Sequence, residues 1–265
     1  MSVLEVQQAL KDLGYDPGSI DGIWGSRSAS ACADFQRSRG LTADGVPGPN
    51  TQTALMEALR STPEPFRPAP LPLPPILSHA EEMGFKVWGD PWRLWFFGVR
   101  SPNRTAGTFD DALGVFWTEN DSLWRCEWWR GTTDPGRFYM QEPMNSRGCA
   151  ILVTGQYLDS WIIGEHSGSY EALCQSSDVR VYRDADRDAV LDLDPSTIQQ
   201  GKYGINIHAS TRQQDAQLQT VGKYSAGCQV HATEAGFSRM MELAHLQIQN
   251  TGRQTFSYTL FDRWW

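Results

Sequence analysis

Two short segments carry the side chains best suited to attack a carbonyl: Gly204-Ile205-Asn206-Ile207-His208 and Tyr224-Ser225-Ala226-Gly227-Cys228-Gln229-Val230-His231. A cysteine attacks as its thiolate, which an adjacent imidazole can generate and hold at neutral pH. A strand ending in His208, a loop, and Ser-Ala-Gly-Cys opening a second strand place imidazole and thiol side by side. Gly227 permits a tight turn there. The amides of Gly227 and Cys228 then face the oxyanion of a tetrahedral intermediate. Tyr224, His231 and, further away, His166 are candidates to line the substrate. His208, Cys228 and His231 also make a chemically reasonable zinc set. Against it, strand alternation puts Cys228 and His231 on opposite faces.

The other chemistry-bearing residues have blander settings. Cys32, Cys126, Cys149 and Cys174 are widely spaced, without a disulfide or zinc pattern, and read as core thiols made in a reducing compartment. Asp184, Asp186, Asp188 and Asp192 alternate like the start of a calcium loop, but Ala189 and Pro195 stand where an EF-hand needs glycine and a bidentate acid. They read as a turn of solvated carboxylates, with calcium binding left open. No cofactor is called for.

The elements around these residues are expected to be mainly β from residue 77 onward. Aromatic-rich stretches such as WRLWFFGVR, and runs such as CAILVTGQYLDSWIIG and DVRVYRDA, are punctuated by Gly, Asp and Asn at short intervals. Short and long helices are expected near 78–83 and 232–249, the second capped by Thr233, with Phe237, Met240, Met241, Leu243 and Ala244 on its apolar face. Residues 61–76 carry seven prolines and read as an extended spacer, up to about 50 Å long at polyproline rise.

Residues 1–60 read as a small all-α unit with an internal repeat. Asp21-Gly22-Ile23-Trp24-Gly25 returns 23 residues later as Asp44-Gly45-Val46-Pro47-Gly48, each copy preceding a helix. Asp can bond nearby amides in a turn, and glycine accepts positive φ. Ser28 and Thr51 are placed to start the helices, and Leu55 and Leu59 face the core. Trp24 is a candidate to stack on sugar or peptide. With Ala31, Phe35 and Gln36, this stretch resembles the three-helix peptidoglycan-binding module of wall hydrolases.

The His208–Cys228 order and the S-x-G-C motif resemble the L,D-transpeptidase catalytic domain. A more diffuse similarity over residues ~110–235 runs through TTDPG, AILVTGQY, IGEHSGSY, VYRDADRD and GINIH. The resemblance implies Cys228 as nucleophile, His208 as base, and Ser225 and Gly227 as supports of the loop. Ala209, Ala226 and Val230 depart from the family's Gly, His and Arg.

The expected fold class is therefore α+β multidomain: a three-helix peptidoglycan-binding module (1–60), a linker (61–76) and a mainly β, L,D-transpeptidase-like domain (77–265). A net charge of −8 argues against a nucleic-acid partner, and no apolar run is long enough for membrane insertion. Peptidoglycan is the expected partner of a monomer. Without a signal peptide in view, the chain is expected to be made in the cytoplasm and to act in the periplasm or cell wall after release through a separate pore or by injection. The expected activity is hydrolysis of peptide stems by an endolysin-like enzyme. The alternatives are crosslink formation or exchange, a non-catalytic wall binder, and a zinc peptidase.

Overall fold

The computed structural model describes residues 1–61, 69–211 and 220–263. The chain forms two compact units, 1–65 and 66–265. The core of the proline-rich segment, 62–68, and the side chain of Leu59 lie outside the described residues.

The first unit packs α1 (Val3–Asp12), α2 (Ser26–Ser38) and α3 (Pro49–Ser61) around Val6, Leu10, Cys32, Phe35 and Leu55. Its repeat is built twice on one plan. Asp21 Oδ1 accepts from the Ile23 amide at 2.9 Å, and Asp44 Oδ1 accepts from the Val46 amide at 2.9 Å. A buried glutamine closes each turn. Gln7 accepts from the Gly22 amide and donates to Asp21, Ile23 O and Ser28. Gln36 does the same for Gly45, Asp44, Val46 O and Thr51. At Gly45, φ is +70° and a Cβ would lie 2.8 Å from Ala29 O, so only glycine fits. Ser28 and Thr51 are not caps: their hydroxyls are buried inside the first helical turn and bond to the glutamines. Trp24 packs partly buried on the small core and donates Nε1 to Gly45 O at 3.3 Å. This contact helps close the small core, and the indole stays partly exposed.

The second unit is a closed eight-stranded barrel with a three-stranded sheet beside it. Its strands are β1 (Trp95–Val99), β2 (Asp111–Thr118), β3 (Trp124–Thr132), β4 (Cys149–Leu152), β5 (Gly155–His166), β6 (Tyr170–Gln175), β7 (Val179–Asp184), β8 (Gln199–Gly201), β9 (Ile207–Ala209), β10 (Gln229–His231) and β11 (Thr255–Phe261). The barrel order is β1-β11-β5-β6-β9-β10-β3-β2, and the small sheet is β4-β7-β8. Helix α4 (Pro75–Glu82) precedes the barrel, α5 (Arg137–Gln141) follows β3, and α6 (Glu234–Thr251) follows β10.

Every residue of β2 is buried because both its faces are covered. Leu113, Val115 and Trp117 join the main core with Phe96, Trp161 and Tyr258. Ala112 and Phe116 face a second cluster in which Ile76, Leu77 and Ala80 of α4 pack on Trp95 and Phe97. The proline-rich approach to α4 therefore belongs to this unit: Leu73 packs on it, and Trp124 Nε1 donates to Pro70 O at 2.9 Å. The expected spacer ends earlier than residue 76, because its last apolar residues have a surface to bury. Each such aliphatic burial contributes about 1.5–3 kcal/mol.

Helix α6 is capped by Thr233, whose hydroxyl accepts from Gly236 N at 3.2 Å, and ends on Gly252 in the left-handed region. Its expected apolar residues are all buried in the main core. Among the described residues, no helix is long and apolar enough to cross a membrane.

Candidate functional site

The two chemistry-bearing segments meet at a parallel strand pair. Strands β9 and β10 align Gln229 with Ile207, Val230 with His208, and His231 with Ala209. Cys228 and Asn206 stand one residue ahead of the first pair. Alternation puts Cys228, Val230, Asn206 and His208 on one face and Gln229, His231, Ile207 and Ala209 on the other.

The turn before β10 is held from three sides. Ser225 Oγ donates to Cys228 O at 2.9 Å and accepts from Gly227 N at 3.1 Å. Ser225 O accepts from Gly136 N at 2.8 Å, and Ala226 O receives the Cys149 thiol at 3.7 Å. Gly227 has φ +125°, and a Cβ there would stand 2.2 Å from Ala150 O. The Gly227 amide is thus committed to Ser225, which corrects the expectation that it helps bind an oxyanion. This bond does not involve the Cys228 amide, the other donor expected to face the oxyanion.

The Cys228 thiol is half-buried and donates to Gly204 O at 3.3 Å. Burial pushes it up to about 11, against the pull of the Asn206 amide on the sulfur. Among the described residues, no hydrogen bond joins this thiol to an imidazole, and Cys228 rests as a neutral thiol.

His208 is buried and sits under His166, with ring centroids 4.1 Å apart and planes 20° apart. Its Nδ1 lies 2.8 Å from Ala209 O. A carbonyl only accepts, so Nδ1 carries the proton and Nε2 the lone pair. Burial, and then the neighbouring His166, pull His208 down to about 4. The Asn206 Oδ1 accepts from Gln175 N at 2.9 Å, so its Nδ2 donates to His166 Nδ1 at 3.0 Å. His166 therefore carries its proton on Nε2, and burial lowers its affinity for a second one. Tyr170 completes the group by donating from its hydroxyl to Ala209 O at 3.3 Å. The roles of Asn206, Gln175 and Tyr170 depend on cross-strand partners; Asn206 and Tyr170 carry no signal beyond their presence in GINIH and IGEHSGSY, and Gln175 carries none.

His231 does not join this group. It is buried on the opposite face, with Nε2 3.3 Å from Met240 Sδ and its ring against Trp129 and Phe237. Alternation separates it from Cys228, so it neither lines substrate there nor completes a zinc set with Cys228 and His208. Tyr224 is exposed beside the turn, its amide bonded to Val221 O at 3.0 Å.

A buried polar network backs the site. Arg100 meets Asp134 at 2.7 Å and donates to Thr133 O and Leu152 O. Asp111 accepts from Ser101 N, Thr133 N and Thr133 Oγ1, and burial holds its carboxyl up at about 7. Gln229 links this network to Tyr258, whose hydroxyl donates to Gln229 Oε1 at 2.9 Å.

The first unit and the turn motifs now have a family context. Residues 2–55 match the family described as putative peptidoglycan binding domain. Among particular relatives, the N-acetylmuramoyl-L-alanine amidase CwlM of Mycobacterium tuberculosis is 42% identical over 53 residues, which are 20% of this chain and 13% of that protein. The chain thus spans only a small part of this relative. Two solved structures align along nearly the whole chain. A fused Zn-dependent amidase/peptidase/peptidoglycan-binding domain-containing protein from Clostridium acetobutylicum has 14% identity and a TM-score of 0.30, over 98% of this chain and 94% of that one. An L,D-transpeptidase from Xylanimonas cellulosilytica has 19% identity and a TM-score of 0.27, over 98% and 93%. Likenesses this remote carry nothing about activity.

Proposed function

We propose that this protein acts on the bacterial cell wall, with the first unit binding peptidoglycan and the second cleaving its peptide stems through Cys228. The observation that carries the catalytic part is the shared face of Cys228, Asn206 and His208, with a neutral imidazole whose Nε2 lone pair is unclaimed by its own backbone contact. His208 takes the thiol proton, and the sulfur adds to a stem carbonyl. The Cys228 amide steadies the oxyanion. Collapse expels the amine, which receives the proton from His208, and leaves a thioester. Water, deprotonated by His208, then releases the acid. The resemblance to L,D-transpeptidases makes the attacked carbonyl that of the L-centre of diaminopimelate next to D-alanine. Tethering by the first unit raises the local concentration of this substrate.

The thiol now points at Gly204 O, so rotation of Cys228 toward His208 must accompany substrate binding. That same observation favours a second reading, a wall-binding protein without catalysis. The test is to incubate the whole protein with disaccharide tetrapeptide, quench in acid and map adducts by mass spectrometry. A stem thioester on the Cys228 peptide supports the enzyme. Wall binding with no adduct and no product supports the binder.

A further inference from the structure

The Asp184–Asp192 loop behaves differently from a turn of solvated carboxylates. Asp184 ends β7 and is 1% exposed, and its Oδ1 is buried with no hydrogen-bond partner. Its other oxygen accepts from Asp192 N at 2.8 Å, which folds the loop back over it. Asp184, Asp186 and Asp192 each bring one carboxylate oxygen to within 4.8 Å of the others. Asp188 does not take part: its Oδ1 accepts from Val190 N at 2.6 Å and shapes the loop. An orphaned buried carboxylate oxygen is costly, and three carboxylates gathered on one point repel each other unless a cation lies between them.

We infer that Asp184, Asp186 and Asp192 form a calcium-binding site that ties the 184–192 loop to β7. The donors are all hard oxygens, with no thiol or imidazole among them, which selects calcium or magnesium over zinc. Oxygens ligated at about 2.3–2.6 Å lie at most about 5 Å apart across the ion, which accommodates this group as it stands. Magnesium, at about 2.0–2.1 Å, demands near-ideal octahedral geometry and keeps several waters, so it is held less readily by an irregular loop of carboxylates. A loop with two exposed carboxylates leaves room for carbonyl and water ligands to complete calcium's larger shell. The site also bears on the catalytic turn. Asp184 is paired with Cys149 across β4 and β7, and the Cys149 thiol donates to Ala226 O. A bound ion would therefore brace the strand behind Cys228.

The test is thermal unfolding of the full chain by tryptophan fluorescence, in about 5 mM CaCl2, in MgCl2 and in EGTA. Ten of the eleven tryptophans lie in the second unit, so the signal reports on it. Calcium is expected to raise Tm by about 5 °C or more over EGTA. Asp186→Asn and Asp192→Asn each remove most of that rise. Both side chains are exposed, so these variants should fold and keep the parent Tm in EGTA. Equal Tm in CaCl2 and EGTA, an undiminished rise in both variants, or an equal rise with MgCl2 would overturn the assignment.

Discussion

His166 and His208 stack at 4.1 Å with complementary tautomers, one holding its proton on Nε2 and the other on Nδ1. Two imidazoles this close cannot both be charged, and burial already disfavours the first charge. The pair keeps His208 neutral at rest, with its lone pair on Nε2. His208→Ala should lower the peptidoglycan-cleaving rate by about 10²–10⁴ without unfolding the barrel. Asn206→Ala, which frees the His166 tautomer, should lower kcat more than KM. Assays of purified variants on muropeptides, with circular dichroism as the folding control, check this. Full activity in His208→Ala would remove the base from the mechanism.

The thiol's reactivity should show the same neutral resting state. Because burial pushes Cys228 up to about 11, its alkylation by iodoacetamide should be slow at pH 7 and climb about tenfold per pH unit toward pH 11. Peptide-resolved mass spectrometry separates Cys228 from the exposed Cys126. Rapid labelling of Cys228 at pH 6–7 would indicate a preformed thiolate–imidazolium pair instead.

Acid stability follows from the histidines. In the unfolded chain they take up protons near pH 6.5, whereas in the fold His208 stays neutral to about 4 and His231 to about 3. Across that window the unfolded state holds more protons, so stability falls as pH drops from about 6.5 toward 4. His231 Nδ1 is buried without a partner, so His231→Leu should cost little at pH 7 and flatten the acid dependence. Denaturant melts at pH 7 and pH 4.5 measure both effects. An unchanged acid slope in the variant would show that another group governs it.

The site's support was only partly legible in the sequence. The Asp-Gly turns and Gln36 announced the first unit's repeat. Gln7, which closes the first turn in the same way, sits in a helix whose spacing shows only its apolar face. His208 and Cys228 were visible because both lie at strand ends near a glycine-bearing turn. The commitment of the Gly227 amide to Ser225 was not, since it depends on how the turn is folded. The segment 70–75 read as spacer, because nothing local reveals that Trp124 donates to Pro70 O or that Leu73 has a cluster to pack on. Likewise the buried state of Asp184 comes from the β4–β7 pairing, a contact between residues 35 apart in sequence.

The network behind the turn should be unforgiving of single changes. Arg100 is fully buried between Asp134 and two carbonyls, so Arg100→Met leaves carboxyls without their cation. A loss of about 3–5 kcal/mol is expected in urea unfolding of the second unit. Replacing Arg100 and Asp134 together should recover part of that loss, and no recovery would mean that the two are not coupled.

The most direct measurement is digestion of purified peptidoglycan by the parent and by Cys228→Ala, with the released fragments identified by mass spectrometry. Shortened or uncrosslinked stems from the parent, and none from the variant, are expected. The same products from both proteins would contradict the role of Cys228 as nucleophile.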